Sequence, residues 1–205
     1  MNKYALIALA ALGLALSAPV MADAGDATRG KGLSASCAAC HGADGNSVNP
    51  EWPKLAGQGE AYLFKQLVDY KEGRRQNVLM AGQVANLSTQ DMRDLAAFFA
   101  SQTITPGTAD ASMVELGEQI YRGGNAATGV AACIACHGPN GQGNPAAMFP
   151  KVAGQHARYN ADQLRYFRDE SRANDNGRMM RNIARRMTDA EIEAVSQYMA
   201  GLSRN

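Results

Sequence analysis

All four cysteines of this chain fall in one motif that is written twice, Cys37-Ala-Ala-Cys40-His41-Gly42 and Cys133-Ile-Ala-Cys136-His137-Gly138, 96 residues apart. The repetition runs on beyond it. Pro53-Lys-Leu-Ala-Gly57-Gln58 matches Pro150-Lys-Val-Ala-Gly154-Gln155 at an offset of 97, as do Tyr62, Gln66 and Leu67 with Tyr159, Gln163 and Leu164. Leu87-Ser88 and Asp91-Met92 match Met187-Thr188 and Glu191-Ile192 at 100. Such slow drift marks a duplication with small loop insertions. The periodic pattern breaks between Ser101 and Ser112, where Pro106 and Gly107 stand, and the join belongs there. Two domains are expected, 23–105 and 106–205. A domain of roughly 90 residues is marginal on its own apolar core, and a large buried cofactor would supply the missing interior.

The periodicity is helical throughout. Glu60 to Glu72 carries Leu63, Leu67 and Tyr70 on one face, with Gly73 as a stop. Ser88-x-x-Asp91 and Thr188-x-x-Glu191 have the form of helix starts, each opening an apolar-faced segment. Shorter, weaker helices are expected over Ala27–Ala35 and Val114–Tyr121, leading into the cysteines. No two-residue alternation bounded by turns predicts a strand. The expected class is all-α with long Gly/Pro-rich loops.

Two cysteines three apart, followed at once by histidine, form the attachment signature of c-type haem: both thiols reach the vinyl groups of one porphyrin, and the histidine lies beneath the iron. A four-cysteine zinc site built from both pairs is one alternative, and a thioredoxin-like redox pair is another. Against the first, 92 residues separate Cys40 from Cys133 and each pair has its own histidine; against the second, no βαβ pattern is present. For the sixth iron ligand, the repeat sorts the methionines. Met92, Met187, Met199 and Met179 align with Ile192, Leu87, Phe99 and Leu79, as interchangeable apolar filling does. Met113 falls in the join, and Met148 aligns with Glu51. Only Met80 and Met180 pair Met with Met, each on an expected loop ahead of the last helix of its half. His156 aligns with Gly59 and reads as a surface or hydrogen-bonding histidine near a helix start. The spare tyrosines read as pocket packing.

Residues 1–22 have the form of a secretory signal: Lys3, an apolar run from Tyr4 to Leu16, and the small-residue end Val20-Met21-Ala22 before Asp23. The run falls short of the ~20 residues that span a bilayer, so a cleaved leader and no stable membrane insertion of the mature chain are expected. A formal charge of +1 gives no strongly basic field, which argues against a nucleic-acid partner. The distribution is less even: Arg178, Arg181, Arg185 and Arg186 gather around Met180, a candidate docking edge, against Arg74 and Arg75 near Met80.

The motifs Cys37-Ala-Ala-Cys40-His41-Gly42-Ala-Asp-Gly-Asn, Pro53-Lys-Leu-Ala-Gly-Gln, Cys133-Ile-Ala-Cys136-His137-Gly138-Pro-Asn-Gly and Pro150-Lys-Val-Ala-Gly-Gln-His closely resemble the cytochrome c4 family over essentially the whole mature chain. That resemblance implies two tandem class I cytochrome c domains, packed about an approximate two-fold with their haems close together. It implies two covalent haem c groups attached by Cys37, Cys40, Cys133 and Cys136. His41 with Met80 and His137 with Met180 would ligate the irons, and the Pro53 and Pro150 carbonyls would accept hydrogen bonds from the two histidines. It implies a periplasmic, non-enzymatic carrier in the respiratory chain, taking electrons from an upstream donor to a membrane-bound terminal oxidase. The alternatives are a dihaem enzyme of peroxidase or thiosulfate-dehydrogenase type, and a haem subunit of a larger membrane complex.

Overall fold

A computed structural model describes residues 24–203, so the leader expected over 1–22 lies outside the described residues. The first half contains α1 (Ala27–Leu33), α2 (Ala35–His41), α3 (Glu60–Lys71), α4 (Val78–Val84) and α5 (Thr89–Ala100). The second contains α6 (Ala111–Gly123), α7 (Ile134–His137), α8 (Ala157–Arg168), α9 (Met179–Ala184) and α10 (Asp189–Gly201). Among the described residues, β-type pairing is confined to two isolated bridges, Asn125 with Val130 and Asn144 with Phe149. No helix among them is long and apolar enough to cross a membrane.

Helix starts follow the sequence signals. Ser88 and Thr188 each accept from the backbone N–H three residues on, and Asp91 and Glu191 reach back to complete the capping boxes. Asp26 and Asp110 cap α1 and α6. Gly73, at φ +73°, ends α3 as expected. Two expectations change. The α6 helix runs well beyond Val114–Tyr121 and takes Met113 out of the join. The first cysteine pair lies on a helix of its own, α2, directly continuing α1.

The same packing occurs in each half. The first helix crosses the last, α1 on α5 and α6 on α10, and the third lies against the last. Glycine permits the crossing. A Cβ on Gly30 would stand 2.0 Å from the Asp94 carbonyl oxygen, and one on Gly117 would stand 2.2 Å from that of Ala194. Around these crossings sit two separate cores. Leu63, Leu95, Phe98 and Phe99 are buried in the first, and Ile120, Tyr121, Leu164, Met187, Ile192, Val195 and Met199 in the second. Met92, Met187 and Met199 are therefore core residues, as the repeat implied.

The halves meet on a polar seam with approximate two-fold symmetry. Buried Arg75 donates to Gln66 Oε1 at 2.9 Å in its own half, and to Tyr159 Oη at 2.9 Å and Gln163 Oε1 at 2.8 Å across the seam. Buried Arg172, its counterpart, donates to Gln163 Oε1 at 2.8 Å, and to Tyr62 Oη at 2.9 Å and Gln66 Oε1 at 3.2 Å across it. The Tyr62 and Tyr159 hydroxyls thus serve the seam. A buried guanidinium keeps its charge only where acceptors replace water, and here two glutamines and two tyrosines do so. His156 bonds across the same seam, its Nε2 lying 3.0 Å from Ser47 Oγ and 2.9 Å from Ser47 O.

Candidate functional site

Cys37 and Cys40 lie on α2, and their spacing of three turns both thiols to one side of the helix. Cys133 caps α7, and Cys136 lies within it. His41 and His137 are the last residues of these helices, which stop at Gly42 (φ +81°) and Gly138 (φ +77°). In that left-handed conformation a Cβ on Gly42 would also lie 2.9 Å from the Asn46 carbonyl oxygen, so the residue after the motif is glycine for steric reasons. The chain turns there and brings a proline carbonyl back over each imidazole.

His41 Nδ1 lies 2.9 Å from Pro53 O, and His137 Nδ1 lies 2.8 Å from Pro150 O; both histidines are buried. A carbonyl oxygen can only accept, so Nδ1 carries the proton and Nε2 keeps its lone pair. Burial lowers both histidine pKa values, against the opposing pull of the proline carbonyls, and each ring is neutral at pH 7. The carbonyls are themselves fixed. Leu55 and Ala56 donate to Gly45 O, and Gly57 N–H to Phe99 O at 2.9 Å. Val152, Ala153 and Gly154 repeat these bonds to Gly141 O and Met199 O.

None of the four cysteines is paired in a disulfide. Burial pushes the Cys37 thiol up and the Cys133 thiol to about 11, which keeps both protonated. The two pairs do not converge on one metal: among the described residues, no three His, Cys, Asp or Glu side chains stand close enough to hold an ion. Two cysteines on one face, next to a neutral imidazole with its Nε2 lone pair available, suit covalent haem attachment.

Met80 and Met180 lie on the short helices α4 and α9, where loops were expected. Asn77 Oδ1 accepts the Met80 N–H at 3.0 Å and starts a helical turn in the first half. Both methionines are half-buried, and Met180 packs on the second core together with Cys133. Their neighbours Leu79 and Met179 are 69% and 41% exposed rather than apolar filling, because adjacent helical residues point about 100° apart. The arginines around Met180 are largely engaged. Arg181 bonds Asp175 at 2.6 Å, Arg178 bonds Glu170, and Arg186 donates to Gly129 O at 2.9 Å. Carboxylates thus offset Arg178 and Arg181, while Arg185 and Arg186 stay exposed with no carboxylate partner among the described residues.

Sequence reasoning passed over Gln58 and Gln155. Gln155 Oε1 accepts from Lys54 N–H at 2.9 Å, and Gln58 Oε1 accepts from Lys151 N–H at 2.8 Å, both across the seam. Their matching places in the repeated Pro-Lys-x-Ala-Gly-Gln segment were the available signal.

The family model for cytochrome c matches the chain twice, over residues 27–103 and 114–203. Cytochrome c4 of Azotobacter vinelandii is 49% identical over 98% of this chain and all of that one. Cytochrome c4 of Pseudomonas aeruginosa is 48% identical with the same coverage. The solved structure of reduced recombinant cytochrome c4 from Pseudomonas stutzeri superposes with a TM-score of 0.86 at 48% identity, covering 88% of this chain and all of that one.

Proposed function

Since this chain belongs to the cytochrome c4 family of dihaem electron-transfer proteins, we propose that it shuttles electrons through the periplasm from an upstream donor to a membrane-bound terminal oxidase of the respiratory chain. It has the all-α fold of two tandem class I cytochrome c domains related by duplication, and it holds two covalent haem c groups. The domains run over 23–105 and 106–205, after a leader over 1–22. Cys37 and Cys40 attach one haem, and Cys133 and Cys136 the other. His41 with Met80, and His137 with Met180, are the axial pairs.

The observation that supports these assignments best is the repeated histidine geometry. A buried ring that donates through Nδ1 to a fixed carbonyl is held in one tautomer and one orientation, with Nε2 prepared as a ligand. Haem iron supplies a one-electron couple, and a methionine thioether opposite histidine raises its potential. The remaining work of the chain is to exclude water from the rings and to hold the two sites at a fixed separation through the seam. Membranes containing the oxidase should oxidise the reduced protein rapidly. Peroxide or thiosulfate turnover at enzyme-like rates by the isolated protein, with both methionines bound to iron, would overturn the carrier reading.

A further inference from the structure

Each axial histidine is linked to the opposite half of the molecule through a single peptide group. The carbonyl of Pro53, which accepts from His41 Nδ1 at 2.9 Å, shares one peptide plane with the Lys54 N–H. That N–H donates to Gln155 Oε1 at 2.9 Å, and Gln155 Nε2 returns to Lys54 O, also at 2.9 Å. In the other half the Pro150–Lys151 peptide accepts from His137 at 2.8 Å and donates to Gln58 Oε1 at 2.8 Å, while Gln58 Nε2 donates to Lys151 O at 2.9 Å. Both glutamines are held in place from behind. The Gly59 N–H donates to Gln58 Oε1 at 2.9 Å, and the His156 N–H to Gln155 Oε1 at 3.0 Å. Gln155 is only 5% exposed, so water does not readily replace it.

We propose that Gln58 and Gln155 are positioning residues acting crosswise: Gln155 tunes the iron held by His41, and Gln58 tunes the iron held by His137. This rests on the axial assignments given above. A peptide that donates through its N–H gains electron density on its carbonyl oxygen, because hydrogen bonds in series polarise one another, more so away from water. The carbonyl then accepts more strongly from Nδ1–H. The ring takes on more imidazolate character and becomes a better donor to iron, which favours the oxidised state. Docking of the halves therefore lowers both potentials, each through the side chain of the other domain. A clamp that merely glued the halves together would need no contact with the one peptide that touches the histidine, yet both glutamines choose that peptide.

The test uses the dihaem protein with Gln155→Leu and Gln58→Leu made singly. Gln155→Met, unbranched and of similar volume, stands in if the leucine variant folds poorly. Each haem is titrated by NMR and recognised by the ring resonances of His41 or His137. Gln155→Leu should raise the midpoint of the His41 haem and speed solvent exchange of its Nδ1 proton by roughly fivefold, the loss expected when one hydrogen bond in the series is weakened. The His137 haem should stay in place, and Gln58→Leu should give the mirror result. A shift confined to the haem of the half bearing the substitution, an equal shift of both, or no shift would overturn the crosswise assignment. Failure of the axial assignments would be visible separately: the unsubstituted protein would lack iron-bound His41 or His137 resonances, and both readings would fall together.

Discussion

Four residues separate the seam arginine Arg75 from Met80, whereas seven separate Arg172 from Met180. From Pro53 and Pro150 up to those arginines the two halves match at a constant offset of 97 and make the same bonds across the seam. Beyond them they diverge at once. The first half lets Asn77 cap the Met80 helix. The second passes through Gly177 and Arg178, both at φ +58°, and ties Arg181 to Asp175 by its backbone N–H at 3.1 Å and its side chain at 2.6 Å. Residues that face the other half are thus held alike in both copies, while the segment that carries the proposed thioether ligand has been rebuilt. The two proposed sulfur ligands should differ in how firmly they are held, even where the two histidines do not.

The largest expected effect tests that difference directly. Met80→Ala and Met180→Ala should each remove about half of the near-infrared sulfur-to-iron absorption and lower one midpoint sharply, since the thioether is what raises the potential. In the unsubstituted protein, Met180 packs on the second core while Met80 lies outside the first core cluster. Cyanide should therefore displace Met80 before Met180, as read from that absorption. Displacement in the reverse order would break the comparison.

Where the halves are alike, equal damage is expected. Gly30→Ala and Gly117→Ala each force a Cβ against a carbonyl of the facing helix, and overpacking of this severity costs about 3 kcal/mol. Guanidinium unfolding should show similar losses for the two variants. A third test uses the buried carboxylate Asp69, where the second half has exposed Tyr166 at the matching place. Burial pushes the Asp69 carboxyl up, but hydrogen bonds from Lys65, Asn174 and Arg74 outweigh it and hold the pKa below the ordinary value. Its stabilisation is complete above the unfolded carboxyl pKa of about 3.9 and is lost as pH falls through the lower folded value. The unfolding midpoint should fall on acidification below about pH 4, and Asp69→Asn should flatten that part of the profile. The smallest effect is reserved for Arg181→Gln. Its charge is already offset by Asp175 and Glu170, so the second haem's midpoint should fall only slightly, and Asp175→Asn should raise it.

The duplication, the helical class, the capping boxes and the contacts of His41 and His137 with the proline carbonyls were legible because each depends on local spacing. Cys-x-x-Cys-His needs only one turn of chain to declare itself, and Ser88-x-x-Asp91 is a complete start signal within four residues. Other features depended on contacts between distant segments. The Gly30 and Gly117 crossings are 87 residues apart rather than 96, because residues 124–132 form an insertion before the second cysteine pair, closed by the Asn125–Val130 bridge. An offset counted from the cysteines onward does not reach back across it. The seam bonds of Tyr62, Tyr159, Arg75 and Arg172 join residues 84 to 110 positions apart, and no local spacing announces them. Arg178 and Arg181 read as unpaired charges because the sequence separates them from Glu170 and Asp175, and folding closes that distance.

The seam has a further consequence. Each half offers the other one guanidinium, one tyrosine, one glutamine clamp and one receptive peptide, and receives the same four in return. This is the bonding pattern of an isologous dimer, in which a single patch is complementary to itself. Here the second protomer is tethered by the ten residues from Ser101 to Asp110, which hold it at high effective concentration. In a true dimer any change at the patch appears twice and must suit both sides of the axis. A tether lifts that restriction. Asp69 can stand opposite the Asn174 loop while its own twin position holds Tyr166. The two copies, no longer interchangeable, are free to become different electron-carrying sites within one symmetric frame.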